Sequence, residues 1–149
     1  FSFLLSDRMH RKGEAYHYWG FDGSARSLCL ATEQAKGLAP NTIDGKQVFT
    51  WAMEKDPAVI EVLDHYTYDL AMKFFSLQAL FDPEVIAVGG GMSANPLLMK
   101  YIEDNILYLE SHLPIHLNVP KVVRCHYMND ANLIGALHHH LNQQDLPIP

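Results

Sequence analysis

The sequence predicts an α/β fold in which a parallel sheet is covered by helices, and three features carry that prediction. Residues 84–88, EVIAV, form a short β-favouring run that passes straight into Gly89, Gly90 and Gly91 and then into a helix. Residues 121–127 form a second such run, followed by a helical stretch from 131 to about 143. Ahead of both, residues 56–81 read as one long helix. The second half therefore runs helix, strand, helix, strand, helix, and strands joined by helical crossovers pair in parallel. No internal repeat or low-complexity segment interrupts the pattern, so residues 1–149 read as a single unit.

Taken in order, residues 1–5 are apolar and read as the end of a strand, and residues 6–13 are polar and turn-like. Residues 14–19 alternate loosely, with three aromatics in six positions, and read as a strand. Residues 25–36 have helix-forming composition with Leu28, Leu30 and Ala31 as apolar positions, and Gly37 supplies the stop. After a short loop over 39–42, Asp44 is expected to cap a helix over 45–54 that sets Val48, Trp51 and Ala52 on one side. Asp56 as N-cap and Pro57 as first helical residue open the long helix. Its apolar residues recur at Val59, Leu63, Tyr66, Leu70, Phe74, Leu77 and Phe81, with Ile60, Ala71 and Phe75 widening the stripe. A face of that width belongs in a core or a subunit interface, and a homodimer is expected on it. Residues 96–113 form a second long helix carrying Leu97, Leu98, Tyr101, Ile102, Ile106 and Leu109, which Pro114 ends. Asn129-Asp130 is expected to cap the final helix, and residues 146–149 form a tail.

The chemistry visible in the chain is that of its backbone. Three glycines directly after a strand accept dihedrals that a Cβ forbids and let a ligand approach the main chain. Asn95 suits an N-cap and Pro96 the first helical position, so a helix N-terminus with its partial positive charge opens beside them. Gly89, Gly90, Gly91 and Asn95 are the candidate binding residues for a phosphate or nucleoside; a tight strand-to-helix turn with nothing bound is the competing reading. Gly89, Gly91 and Ala94 satisfy G-x-G-x-x-A formally, but Pro96 starts the helix after the motif and Glu103 and Glu110 fall in a helix rather than at a strand end. There is no G-x-x-x-x-G-K-[ST]. His138, His139 and His140 fan around a helix by about 100° each and cannot converge on one ion. His112 and His116 straddle Pro114 in no ligand spacing, and Asp22, Asp44 and Asp130 read as turn or cap residues. No Ser-His-Asp set is defensible, so no catalytic residue and no metal ligand is assigned.

A net charge of −6 with scattered Lys and Arg argues against nucleic-acid binding by this segment. No apolar run approaches the roughly 18 residues of a membrane span, so no membrane contact is expected. Cys29 and Cys125 lie far apart outside any C-x-x-C and read as two buried thiols of a reducing cytoplasm. The chain begins at Phe1 without a signal-like leader and is read as continuing a longer protein.

Asp82-Pro83-Glu84-Val85-Ile86 leading into Val88-Gly89-Gly90-Gly91, Asn95-Pro96 beyond, and Asp130-Ala131-Asn132-Leu133-Ile134-Gly135-Ala136 near the end together resemble the C-terminal half of a ROK-family protein. Ser24 to Leu28 adds an echo of that family's Ser-x-x-x-Leu segment. The family groups sugar kinases with sugar-responsive repressors on the actin-like ATPase (ribonuclease H-like) fold. The resemblance implies a C-terminal lobe whose N-terminal partner lobe is missing, with Gly89, Gly90 and Gly91 against the adenosine and phosphates of ATP. It also implies Mg²⁺ with the nucleotide, a sugar as substrate or effector, and a Gly135 that lets the last helix pack close to the sheet. The family's catalytic aspartate and first phosphate loop belong to the missing half, which implies that this stretch alone is inactive. The chain departs from the family where many members bind zinc. Residues 16–23 contain no cysteine and Phe3 stands at the histidine position, so no zinc is expected. Gly20 replaces a sugar-contacting glutamate, which leans towards the alternative of a sugar-sensing repressor.

Overall fold

The computed structural model describes residues 18–114 and 117–143. Its hub is α4 (Pro57–Phe81), against which α2 (Ala25–Ala35), α3 (Gly45–Met53) and α5 (Pro96–His112) all pack. A four-residue helix, α1 (Trp19–Asp22), precedes them, and α6 (Ala131–Gln143) closes the chain. Two short strands, β1 (Ile86–Val88) and β2 (Val122–Arg124), pair in parallel with Ile86 opposite Val122 and Val88 opposite Arg124.

Helix boundaries follow from capping chemistry. The Ser24 side chain accepts the Ser27 N–H, Asp44 that of Gln47, Asp56 those of Ala58 and Val59, and Asn95 that of Leu97. Each satisfies donors that the first helical turn leaves unpaired. At the far end of α4, Asp82 takes the left-handed conformation with φ 43°, and its carboxylate accepts from Gln78 at 2.8 Å and Asn118 at 3.1 Å.

The core is one cluster built on the α4 stripe. Val59, Leu63 and Ala71 are fully buried, and Leu70, Phe74 and Phe75 nearly so, against Leu28, Val48, Phe49, Leu98 and Ile102. The apolar face behind the expected homodimer is thus largely used inside the chain; its C-terminal end differs, with Phe81 60 % exposed. Buried polar side chains are mostly paired, with Trp19 Nε1 and Gln78 Oε1 as exceptions among the described residues. The Asn105 amide of α5 donates to Thr67 Oγ1 at 3.0 Å and to the Tyr101 carbonyl at 3.1 Å, which fixes α5 against α4. Glu33 is buried, and its carboxylate accepts the N–H groups of Asn41, Thr42 and Ile43 at 2.7–3.0 Å. Desolvation works against its charge, and the three donors outweigh it, holding the carboxyl below its ordinary pKa.

Asp56 is held low in the same sense, first by its hydrogen bond from Lys36, whose ammonium also lies 4.6 Å from the Trp51 ring centre. A folded-state pKa below the unfolded value of about 3.9 stabilises the fold above that pH, and the contribution is lost as pH falls through the folded pKa. Asp56→Asn keeps the cap and removes the charge. Its melting temperature is expected below wild type from neutral pH down to about pH 5, with the gap closing under about pH 4; a gap that widens in acid would contradict this.

Several sequence expectations change. Trp19 opens a helix rather than ending a strand over 14–19, whose other residues apart from Tyr18 lie outside the described ones, as do residues 1–13 and 146–149. The buried face of α2 is Leu28, Cys29, Thr32 and Glu33, and Ala31 is exposed. Cys125 is half-buried, unlike Cys29. Burial first, then Glu33, raises the Cys29 thiol. β2 stops at Arg124 because the Met128 N–H turns back to the Cys125 carbonyl at 3.3 Å. Asn129 and Asp130 belong to a 3-10 turn (Met128–Asp130) that runs into α6. At Gly135 nothing lies within 4 Å of the Cβ position, and Leu133, Leu137 and Leu141 are more than half exposed. The close packing implied for Gly135 is therefore not formed among the described residues. His138, His139 and His140 are all exposed.

Candidate functional site

β1 ends at Val88, and the chain leaves the sheet through three exposed glycines. They are not equivalent. Gly90 sits at φ 87°, ψ 170°, a region that is almost exclusively glycine's. Nothing approaches within 4 Å of where its Cβ would lie, so the turn presents open main chain. Gly89 has its Cβ position 3.7 Å from both Cys125 Cβ and the Met128 carbonyl, an ordinary contact distance. Gly91 begins a 3-10 turn (Gly91–Ala94), and that turn leads into α5.

Sequence reading missed this 3-10 turn and what closes it. Ser93 is fully buried; its Oγ donates to the Gly90 carbonyl at 2.7 Å and its N–H to the same oxygen at 3.2 Å. The signal available was a serine three residues after Gly90, the spacing of a local side-chain turn. Both bonds hold the Gly90 carbonyl inward. Ser93→Ala is expected to lower the unfolding free energy by about 1 kcal/mol, as read by thermal melts; an unchanged melting temperature would mean that the hydroxyl does not hold the turn.

Asn95 caps α5 through Oδ1, which accepts the Leu97 N–H at 2.9 Å. Its contribution is thereby to orient the helix end whose first N–H groups have no intrahelical partner. A second brace comes from β2: the Cys125 N–H donates to the Val88 carbonyl at 2.8 Å, and the Gly90 N–H donates to the Met128 carbonyl at 3.3 Å. The two turns at the carboxyl ends of adjacent parallel strands are thus tied together, the place where open α/β sheets bind ligands. The N-terminus of α3 comes close as well, with the Gly45 Cβ position 3.8 Å from Met92 Cγ.

An apolar groove of about 450 Å³ runs beside β1 from Phe81 and Val85 to Gly89 and Met92. A larger hollow of about 640 Å³ opens between α2 and α4, lined by Trp19, His65, Tyr66 and Asp69 among others, and does not reach the glycine turn. Among the described residues no three His, Cys, Asp or Glu side chains gather as metal ligands. No described helix is long and apolar enough to cross a membrane.

The profile of the ROK family matches residues 23–142. The chain belongs to the ROK family. Its curated relatives include a β-glucoside kinase of Klebsiella pneumoniae, 22 % identical over 139 residues, which cover 93 % of this chain and 44 % of the relative. An N-acetyl-D-glucosamine kinase of Aliivibrio fischeri is 33 % identical over 87 residues, covering 56 % and 26 %. Among solved structures, a ROK-family protein of Streptococcus pneumoniae TIGR4 in complex with sucrose superposes with a TM-score of 0.74 at 25 % identity, over 81 % of this chain and 41 % of that one. The ROK chain described here thus has the fold of those proteins, is related to sugar kinases, and spans less than half the length of each.

Proposed function

We propose that this chain is the nucleotide-binding part of an ATP-dependent sugar kinase, which transfers the γ-phosphoryl group to a sugar hydroxyl. The observation that carries the reading is Gly90. Its glycine-only conformation, at the carboxyl end of β1 and ahead of the α5 N-terminus, leaves room for phosphates to come close to the turn, although the Gly90 N–H itself is spent on the Met128 carbonyl. An Ala at that position would be strained, and no packing within 4 Å accounts for the glycine. The site fits an anionic ligand on these grounds.

ATP supplies the phosphoryl group, with Mg²⁺ travelling on its phosphates. The chain's own residues do the holding. Ser93 fixes the Gly90 carbonyl, Asn95 aims the helix end, and Met128 braces the glycine turn from the turn that follows β2. Positioning of this kind needs a base to take the proton from the sugar hydroxyl. No described residue at the turn fills that role, so this stretch alone is expected to phosphorylate no sugar. The names of the relatives point to a hexose, β-glucoside or N-acetylhexosamine as acceptor.

The test is phosphorylation of a panel of hexoses, β-glucosides and N-acetylhexosamines by the full-length protein with ATP and Mg²⁺. Phosphorylation of at least one sugar is the expected result. A protein that binds a sugar and phosphorylates none would favour a sugar-sensing repressor instead.

A further inference from the structure

A phosphate cradle has no use for aromatic side chains, yet two stand exposed on the turn that braces it. His126 and Tyr127 lie between Cys125, bonded to Val88, and Met128, bonded to Gly90. Their rings meet edge to face, with centres 4.9 Å apart and planes at 86°, and Tyr127 is 53 % exposed. Both ends of this short turn are therefore fastened to the glycine segment while the aromatic pair stands in solvent. Met128 completes the turn at φ 44°, a left-handed conformation that methionine adopts at a cost. Strained backbone of this sort survives where its surroundings over-determine it, and it gathers at ligand clamps.

A nucleotide has an anionic end and an aromatic one. The glycine turn and the α5 N-terminus suit the first and offer nothing specific to the flat face of a base. An exposed tyrosine on the turn bonded to that same glycine segment does, and a ring set edge-on against it restricts the rotamers it must give up on stacking. We propose that Tyr127, held by His126, is the residue against which the purine base of the nucleotide stacks. The inference rests on the nucleotide reading above and adds to it the contact for the base.

Calorimetric titration of the full-length protein with ATP and, separately, with inorganic tripolyphosphate, both with Mg²⁺, tests it. Tyr127→Ala is expected to weaken ATP binding about tenfold. Tripolyphosphate, which has no base, should bind within about twofold of wild type, since an exposed side chain is removed. Tyr127→Phe keeps the ring and should bind both like wild type, and Gly90→Val should lose both. Unchanged ATP affinity in Tyr127→Ala beside a defective Gly90→Val overturns the base contact and leaves the nucleotide reading standing. Equal losses of ATP and tripolyphosphate in Tyr127→Ala overturn it as well. A wild-type protein that binds no ATP overturns both readings together.

Discussion

Gly90→Val is expected to abolish nucleotide binding while the rest of the fold survives. At φ 87°, ψ 170° a β-branched residue is a severe backbone outlier, costing of order 1–3 kcal/mol or more if the conformation is kept. Nothing within 4 Å opposes the new side chain, so the strain is relieved by moving the turn rather than by breaking the core. Relief has a consequence for the ligand: it shifts the main chain on which phosphates would rest, and the branched side chain enters the open space. A loss of about a hundredfold or more in ATP affinity is the expected reading. Gly89→Ala is the informative contrast. Gly89 shows no left-handed φ, and its Cβ would make ordinary contacts at 3.7 Å, so ATP affinity should stay within about threefold. Equal defects in the two variants would show that the turn does not work through the conformation of Gly90.

Leu63→Ala is expected to give the largest loss of stability. Leu63 is fully buried in the first third of α4, the helix against which α2, α3 and α5 all pack, so a cavity there opens in the shared core. A substitution of this kind costs about 2–5 kcal/mol, a large fraction of the stability of a domain. Leu80→Ala on the same helix removes the same atoms from a side chain 70 % exposed and should change stability by no more than about 0.5 kcal/mol. Denaturant titration of both variants checks the pair, and similar midpoints would mean that α4 is not the hub.

The difference between Leu63 and Leu80 was legible in the sequence, because it follows from the spacing of three and four along one helix. Caps were legible too: Asp44, Asp56 and Asn95 each accept a backbone N–H from the first turn that follows, and a cap needs only neighbours in sequence. What could not be read depends on partners far along the chain. The three glycines look alike in sequence and become distinct only because β2 returns Cys125 against Gly89 and the Met128 carbonyl to the Gly90 N–H. The early end of β2 has the same cause, since residues 125–127 have strand-like composition and are pulled into a turn by that return. Ser93 was overlooked because a single buried hydroxyl has no periodicity to announce it. Gly135 was misjudged from the resemblance, since the helix that carries it keeps its leucines exposed among the described residues.

The central claim is that a nucleotide rests on the glycine turn at the end of β1. A crystal structure of the full-length protein with a non-hydrolysable ATP analogue and Mg²⁺ tests it most directly. The predicted result places the phosphates against Gly90 and Gly91 at the N-terminal end of α5, with the base on the side of the turn that carries Tyr127. An analogue bound elsewhere, with Gly90 facing solvent, would contradict the account.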